Sequence, residues 1–214
     1  MAEREEKIAF FRDGKFYKLL PELGTIEING VKMHQTARRT PQENAENQVK
    51  ILGVKKGENV LDVCTGLGYS ALAAAAAGAR VTTLERDANV LEMSRLNPAS
   101  RGLFGHSRIT VVEGDALEMI RNFPDCGFDR VLHDPPRFSF AGELYSLAFY
   151  KQLFRVLKNG GRLFHYTGKP GEGRGKGIRR GVTERLAEAG FKNIKWRENE
   201  MGFTAEKGGG RKCR

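Results

Sequence analysis

The chain has 214 residues, 40% hydrophobic and 29% charged, enough for one globular domain with a sizeable core and a small appendage. No apolar run reaches the roughly 20 residues of a membrane span. The net charge of +10 rules out an acidic protein and leaves two explanations, a surplus of solubilising charge or a polyanionic partner. Cys64, Cys126 and Cys213 show no CxxC or Cys/His spacing, which predicts reduced thiols and neither a disulfide framework nor a zinc site. The charged start MAEREEKIAF lacks a secretory apolar region, so the expected location is cytoplasmic.

In chain order, FYKLL and then TIEI-NG-VK predict a small N-terminal β appendage containing a hairpin, over residues 1–39. TPQENAENQVKILG predicts a helix: Thr40 caps, Pro41 takes the first helical position, Glu43 completes a capping box and Gly53 ends it. Strands and helices then alternate. The strands are ENVLDVC, RVTTLER, ITVVEGD, FDRVLHD and GRLFHYTG. The helices are YSALAAAAAG, ANVLEMSRLN, ALEMIRNF, ELYSLAFYKQLFRVL and IRRGVTERLAEAG. NIKWREN and GFTAEK are a closing pair of strands. This order predicts an α/β fold, a doubly wound, seven-stranded, mostly parallel sheet over residues 40–207, with a basic tail at 208–214.

The first strand runs into VLDVCTGLGYSA. Gly66, Gly68 and Ala71 fit the GxGxxG/A loop of dinucleotide-binding sheets, and two glycines in such a turn can also serve packing alone. Asp62, four residues before Gly66, argues against a pyrophosphate there, because its charge would repel one. It suits a ligand with an ammonium group, such as S-adenosylmethionine. Asp62 is then expected to face the methionine end, Glu85 to take both ribose hydroxyls and Asp115 to accept from the adenine amine. All three end successive strands, where open α/β sheets bind ligands. The alternative role for each acid is a helix cap.

The fourth strand ends in LHDPPRFSF. An exocyclic amine on a nucleobase is a poor nucleophile, since its lone pair is delocalised into the ring. Two acceptors behind the nitrogen favour the pyramidal form with the lone pair aimed forward. Asp134 and a main-chain carbonyl near Pro135 can supply them, and the two prolines stiffen the loop that holds the carbonyl. Asp-Pro-Pro can equally be a rigid loop start.

DVCTGLGYSA, LERDANVLEMSRLNP and HDPPRFSFAGELYSLAFYKQLFRVLKNGGRLFHYTG resemble the class I S-adenosylmethionine-dependent methyltransferases with their Rossmann-like fold. Among these they are similar to an archaeal group with a DPPRFS signature, associated with N4-methylation and N4-dimethylation of cytidine in small-subunit ribosomal RNA. The likeness runs over residues 30–205. It implies cofactor contacts from Asp62, Thr65, Gly66, Gly68, Tyr69, Glu85, Arg86, Asp115, Ala116 and Asp134. It implies catalytic roles for Asp134, Pro135, Pro136, Arg137 and Phe138. The wider class carries an aromatic residue directly after the prolines. Here Arg137 stands there and Phe138 follows, so the stacking partner is either a guanidinium plane or a phenylalanine ring; Phe140 is expected in the core. No cysteine stands close after the Asp-Pro-Pro loop, Cys213 being in the tail, which disfavours carbon-5 methylation. His133 is expected on the opposite strand face, either as a satisfied core histidine or as one that supports a site residue from behind.

The basic residues cluster in TARR, in GKPGEGRGKGIRRG and in KGGGRKCR. Arg38, Arg39, Lys169, Arg174, Lys176, Arg179 and Arg180 are the candidate RNA contacts, the last five on a mobile glycine-rich loop. The alternatives are a methyltransferase for a small molecule or a protein amide, and a nicotinamide-dependent dehydrogenase on the same glycine loop.

Overall fold

The computed structural model describes residues 8–168 and 172–209, with the side chains of 172–176 outside that set. Four short antiparallel strands form the N-terminal sheet: β1 (Ala9–Arg12), β2 (Lys15–Leu20), β3 (Thr25–Ile28) and β4 (Val31–Lys32), paired in that order. The expected hairpin is thus half of a four-stranded meander. Its core of Tyr17, Leu19 and Ile26 packs on Leu67, Tyr69 and Met93 of the larger domain.

Helix α1 (Pro41–Leu52) starts where its capping box places it. The Thr40 hydroxyl accepts from the Glu43 amide at 3.2 Å, and the Glu43 carboxylate accepts from the Thr40 amide at 2.8 Å. Gly53, at φ 72°, closes it. The units β5 (Asn59–Val63), α2 (Tyr69–Ala76), β6 (Arg80–Glu85), α3 (Ala88–Leu96), β7 (Ile109–Glu113), α4 (Ala116–Met119), β8 (Phe128–His133), α5 (Leu147–Val156), β9 (Leu157–Tyr166), α6 (Glu172–Glu188), β10 (Phe191–Arg197) and β11 (Gly202–Lys207) follow. The seven-stranded sheet has the order β10-β11-β9-β8-β5-β6-β7. It is parallel from β9 to β7 and antiparallel through β11 and β10.

The period of two along each strand splits the core. Val60 of β5, Leu132 of β8 and Phe164 of β9 face α1 and α2. Leu61, Val63, Val131 and Leu163 face α5 and α6. Among the described residues, no helix is long and apolar enough to cross a membrane.

Four expectations need correction. Helix α6 begins at Glu172, six residues before Ile178, so most of the supposed mobile loop is helical. Each glycine there costs about 1 kcal/mol, but buried Val182 and Leu186 dock the helix, and propagation from a docked turn is easier than nucleation. Lys207 is no tail cation: it ends β11, is buried, and its ammonium donates to the carbonyls of Phe154 (2.8 Å) and Leu157 (2.7 Å). Cys126 is in a disulfide whose partner lies outside the described residues. Phe140 is 59% exposed, in a segment exposed throughout from Pro136 to Phe140.

Candidate active site

The carboxyl ends of β5, β6, β7 and β8 bring the predicted acids to one rim. A cleft there is lined by Cys64, Leu84, Glu85, Arg86, Gly114, Asp115, Ala116, Pro136, Ala141, Glu143 and Leu144. Of the expected residues it gathers Glu85, Arg86, Asp115, Ala116 and Pro136.

Glu85 stands at the end of β6 with its two oxygens accepting from the main-chain N–H groups of Gly66 and Asp87, each at 3.0 Å. It ties the glycine loop to the sheet, and its remaining lone pairs are available to ribose hydroxyls. Burial raises its pKa, against the two amide bonds. Asp115 does cap a helix: one oxygen accepts from the Leu117 amide at 2.8 Å, and the other lies 3.5 Å from Arg86. Arg86 also lies 3.7 Å from Glu143, so one guanidinium bridges both walls of the cleft mouth.

Gly66 has φ 54° and Gly68 φ 81°, backbone that L side chains resist. A Cβ on Gly66 would meet nothing nearer than His34 at 3.8 Å, whereas one on Gly68 would stand 2.6 Å from Leu103. Gly66 therefore keeps a space open and Gly68 serves packing. His34, from the N-terminal segment, hangs over the loop, held by the Thr25 hydroxyl at 3.0 Å. Nothing in the local sequence pointed to it. Cys64 has φ 72°, a strained entry into the loop.

Asp62 lies lower than expected. It is fully buried beneath the loop, and its oxygens accept from Ser70 (2.8 Å) and Thr83 (2.6 Å). Burial pushes its pKa up to about 7 despite those two bonds. Thr65 is buried beside it, its hydroxyl 2.6 Å from that of Thr83. Tyr69 turns away from the cleft: its hydroxyl donates to the Gly24 carbonyl and accepts from Asn97, binding the two sheets together.

Asp134 leaves β8 with its amide on the Val63 carbonyl at 3.2 Å. Among the described residues no donor reaches its carboxylate, and burial followed by the Asp62 charge raises its pKa to about 7. Pro135 is buried and Pro136 exposed. The Pro136 carbonyl accepts from the Tyr145 hydroxyl at 3.0 Å, whereas among the described residues no donor reaches the Pro135 carbonyl. Arg137 is exposed, and Phe138, 46% exposed, sets its ring edge against Tyr145 at 5.4 Å. Tyr166, at the end of β9, feels the Asp134 charge after burial, and both raise its pKa. Tyr145 and Tyr166 thus adjoin the Asp-Pro-Pro loop, a placement that the sequence pattern did not reveal.

His133 is fully buried in the core but is not satisfied. It stacks on His165 at 4.3 Å, and among the described residues neither ring nitrogen has a hydrogen-bond partner. His165 bonds the Tyr150 hydroxyl at 2.8 Å.

Of the basic candidates, Arg179 stacks on Trp196 at 3.9 Å and Arg180 pairs with Glu184 at 2.7 Å. Arg39 lies 3.5 Å from Glu200, and Arg38 is exposed. Lys169 and the side chains of Arg174 and Lys176 lie outside the described residues.

Residues 60–161 match the model of a methyltransferase domain family. With the parallel sheet, the open glycine loop and the acids on its rim, this makes the chain a member of the class I S-adenosylmethionine-dependent methyltransferases, and S-adenosylmethionine is its cofactor. The chain is 49% identical to the uncharacterized protein MJ1233 of Methanocaldococcus jannaschii, over 97% of this chain and 76% of that protein. A 23S rRNA (uracil(1939)-C(5))-methyltransferase of Acidithiobacillus ferrooxidans is 34% identical over 46% of this chain and 24% of its own length. The spermidine synthase of Thermotoga maritima shares the fold at a TM-score of 0.70 and 18% identity, over 94% of this chain and 72% of that one. The family match sets the dehydrogenase alternative aside.

The residues fit this cofactor. Glu85 has free lone pairs for a ribose, Gly66 leaves the approach clear, and Leu84, Ala116 and Leu144 give the cleft an apolar lining for an adenine. When bound, S-adenosylmethionine supplies an electrophilic methyl group on a sulfonium.

Proposed function

We propose that this methyltransferase acts on an exocyclic amino nitrogen of a nucleobase in RNA, N4 of cytidine in ribosomal RNA. The observation that carries it is the pair of open acceptors at the end of β8. The Asp134 carboxylate and the Pro135 carbonyl are adjacent in the chain, and neither receives a bond from the described residues. Each can accept one N–H of an amine. Two such bonds on one side hold the nitrogen pyramidal, with its lone pair directed away from them. The prolines and the Tyr145 bond to Pro136 keep the carbonyl in place before substrate arrives.

Asp134 also provides for the proton. Once alkylated, the nitrogen is acidic, and the carboxylate already holding its N–H can take the proton. After one transfer a single N–H remains, which either acceptor can hold, so the clamp accommodates dimethylation. Phe138, exposed beside Tyr145, offers a face for the base, and Arg137 a guanidinium. The base must be unpaired to present its amine.

Cys64 bears on the alternative of carbon methylation, since it lines the cleft. Burial and the charges of Glu85, Asp134 and Asp62 hold its thiol well above the ordinary pKa. A thiol kept protonated is a poor nucleophile. Nucleoside mass spectrometry of RNA from cells with and without the gene tests the proposal: loss of an N4-methylated cytidine supports it. An unchanged RNA profile, with methyl transfer to a free small molecule or a protein amide, sinks it.

A further inference from the structure

We propose that the face formed by β10, β11 and the start of β9 carries the phosphate backbone of single-stranded RNA toward Asp134. The inference rests on RNA being the substrate and names the surface that would hold it. A second concavity, of ≈ 250 Å³, lies on this face, lined by Arg162, Asn193, Lys195, Arg197, Thr204 and Glu206. It is separate from the cofactor cleft and has three cations against one carboxylate.

The strand register explains why these side chains meet. Arg162 of β9 stands opposite Glu206 of β11, and Thr204 of β11 stands opposite Lys195 of β10. Glu206 is already occupied on both oxygens, by Arg162 at 3.4 Å and by the Asn193 amide at 2.7 Å. It positions these two groups, and the Arg162 guanidinium reaches toward Gly53 at the end of α1. Arg197 is anchored through Nε to the Thr204 hydroxyl at 3.1 Å, which leaves its terminal nitrogens for a ligand. Lys195 is exposed, and among the described residues no acceptor reaches its ammonium. Anchored guanidinium forks with one free ammonium suit phosphate oxygens.

The face leads to the site. Arg162 and Tyr166 lie on the same side of β9, four residues apart, which is about 13 Å along a strand. Tyr166 in turn neighbours Asp134. Arg197 stands opposite Gly202 of β11, and Gly202 opposite Tyr166, so the cations form a row ending beside the reacting position. Arg39, 3.5 Å from Glu200 in the β10–β11 turn, adds a further cation at that end. On the other face of β10, Arg179 and Arg180 are engaged with Trp196 and Glu184.

The test is binding of a labelled single-stranded RNA oligonucleotide by the full chain at several salt concentrations. Lys195→Gln with Arg197→Gln should weaken binding equally across sequences. The slope of log affinity against log salt should fall by about 1.4, at about 0.7 for each single-strand phosphate left without its cation. Affinity for S-adenosylhomocysteine should stay unchanged, which reports an intact fold. Lys195→Glu alone, at an exposed and unpartnered side chain, should weaken RNA binding without disturbing the Arg197 anchor. Wild-type slope and affinity in both variants would overturn the surface while leaving RNA as substrate. A wild-type protein that binds no RNA even at low salt would overturn both.

Discussion

Tyr145 donates its hydroxyl to the main-chain carbonyl of Pro136 at 3.0 Å, fastening the Asp-Pro-Pro loop to the turn before α5. The bond consumes one loop carbonyl and fixes the direction of its neighbour on Pro135. Tyr145→Phe removes the donor and keeps the ring. The expected result is a kcat lower by about tenfold, unchanged affinity for S-adenosylhomocysteine and a stability loss of about 1 kcal/mol. Steady-state kinetics with a denaturant titration checks this; wild-type kcat would mean that the loop holds itself.

Asp134 works as an acceptor when ionised, and burial with the Asp62 charge raises its pKa to about 7. Transfer, measured as kcat/KM, should therefore rise with pH through a limb near 7. Asp62, also raised to about 7, titrates with it as a pair. Asp134→Ala should abolish transfer while cofactor binding persists. Asp134→Asn should retain a trace of activity with the limb flattened. An unchanged limb in the asparagine variant would assign the titration to another group.

The same shift has a consequence for stability. A carboxyl whose folded pKa lies above its ordinary 3.8 binds protons more tightly in the folded state. Its contribution is fully present below about pH 4 and is lost as pH rises toward 7. Relative to the wild type, Asp134→Asn should gain stability progressively across that window. Urea titrations at pH 4.5 and 7.5 compare the two; a constant difference would mean that Asp134 carries its ordinary pKa.

The two loop glycines should separate binding from folding. Gly66→Ala meets open space, so the fold should survive at a cost of about 1 kcal/mol for its positive φ, with cofactor affinity sharply reduced. Gly68→Ala drives a methyl to 2.6 Å from Leu103 and should destabilise by about 2 kcal/mol or more. Thermal melts beside calorimetric titration with S-adenosylhomocysteine read both. Equal stability losses would remove the distinction.

Asp62→Ala should weaken cofactor binding indirectly. Its loss leaves the Ser70 and Thr83 hydroxyls without their acceptor under the loop, a cost of about 1–3 kcal/mol. Asp62→Asn, which keeps one acceptor oxygen, should restore part of the affinity. Full cofactor affinity in the alanine variant would show that the loop does not depend on the carboxylate.

The sheet was legible because strands and helices alternate and several helices carry a start signal, as Thr40 before α1, Asp87 before α3 and Asp115 before α4. The Thr40–Glu43 box is the clearest case. The positions of Glu85 and Asp134 at the carboxyl rim of the sheet were legible because they stand at strand ends, where open α/β sheets present their loops. Asp62 was placed too high, since sequence does not tell whether neighbouring hydroxyls such as Ser70 and Thr83 will capture a carboxylate. Tyr145, Tyr166 and His34 went unread because their roles depend on contacts far along the chain or on the docking of the N-terminal sheet. The Arg162, Lys195 and Arg197 cluster escaped for a related reason: its members are scattered in sequence and assembled by antiparallel register. Composition drew attention to glycine-rich basic runs, one of which lies largely in α6 from Glu172 onward.

The most direct test is transfer of an isotopically labelled methyl from S-adenosylmethionine to a cytidine-containing single-stranded RNA, followed by digestion and mass spectrometry of the nucleosides. The label should appear on N4 of cytidine with wild-type enzyme and be absent with Asp134→Ala. Label on carbon 5 or on a ribose oxygen, or equal N4 labelling by the alanine variant, would contradict the amine clamp.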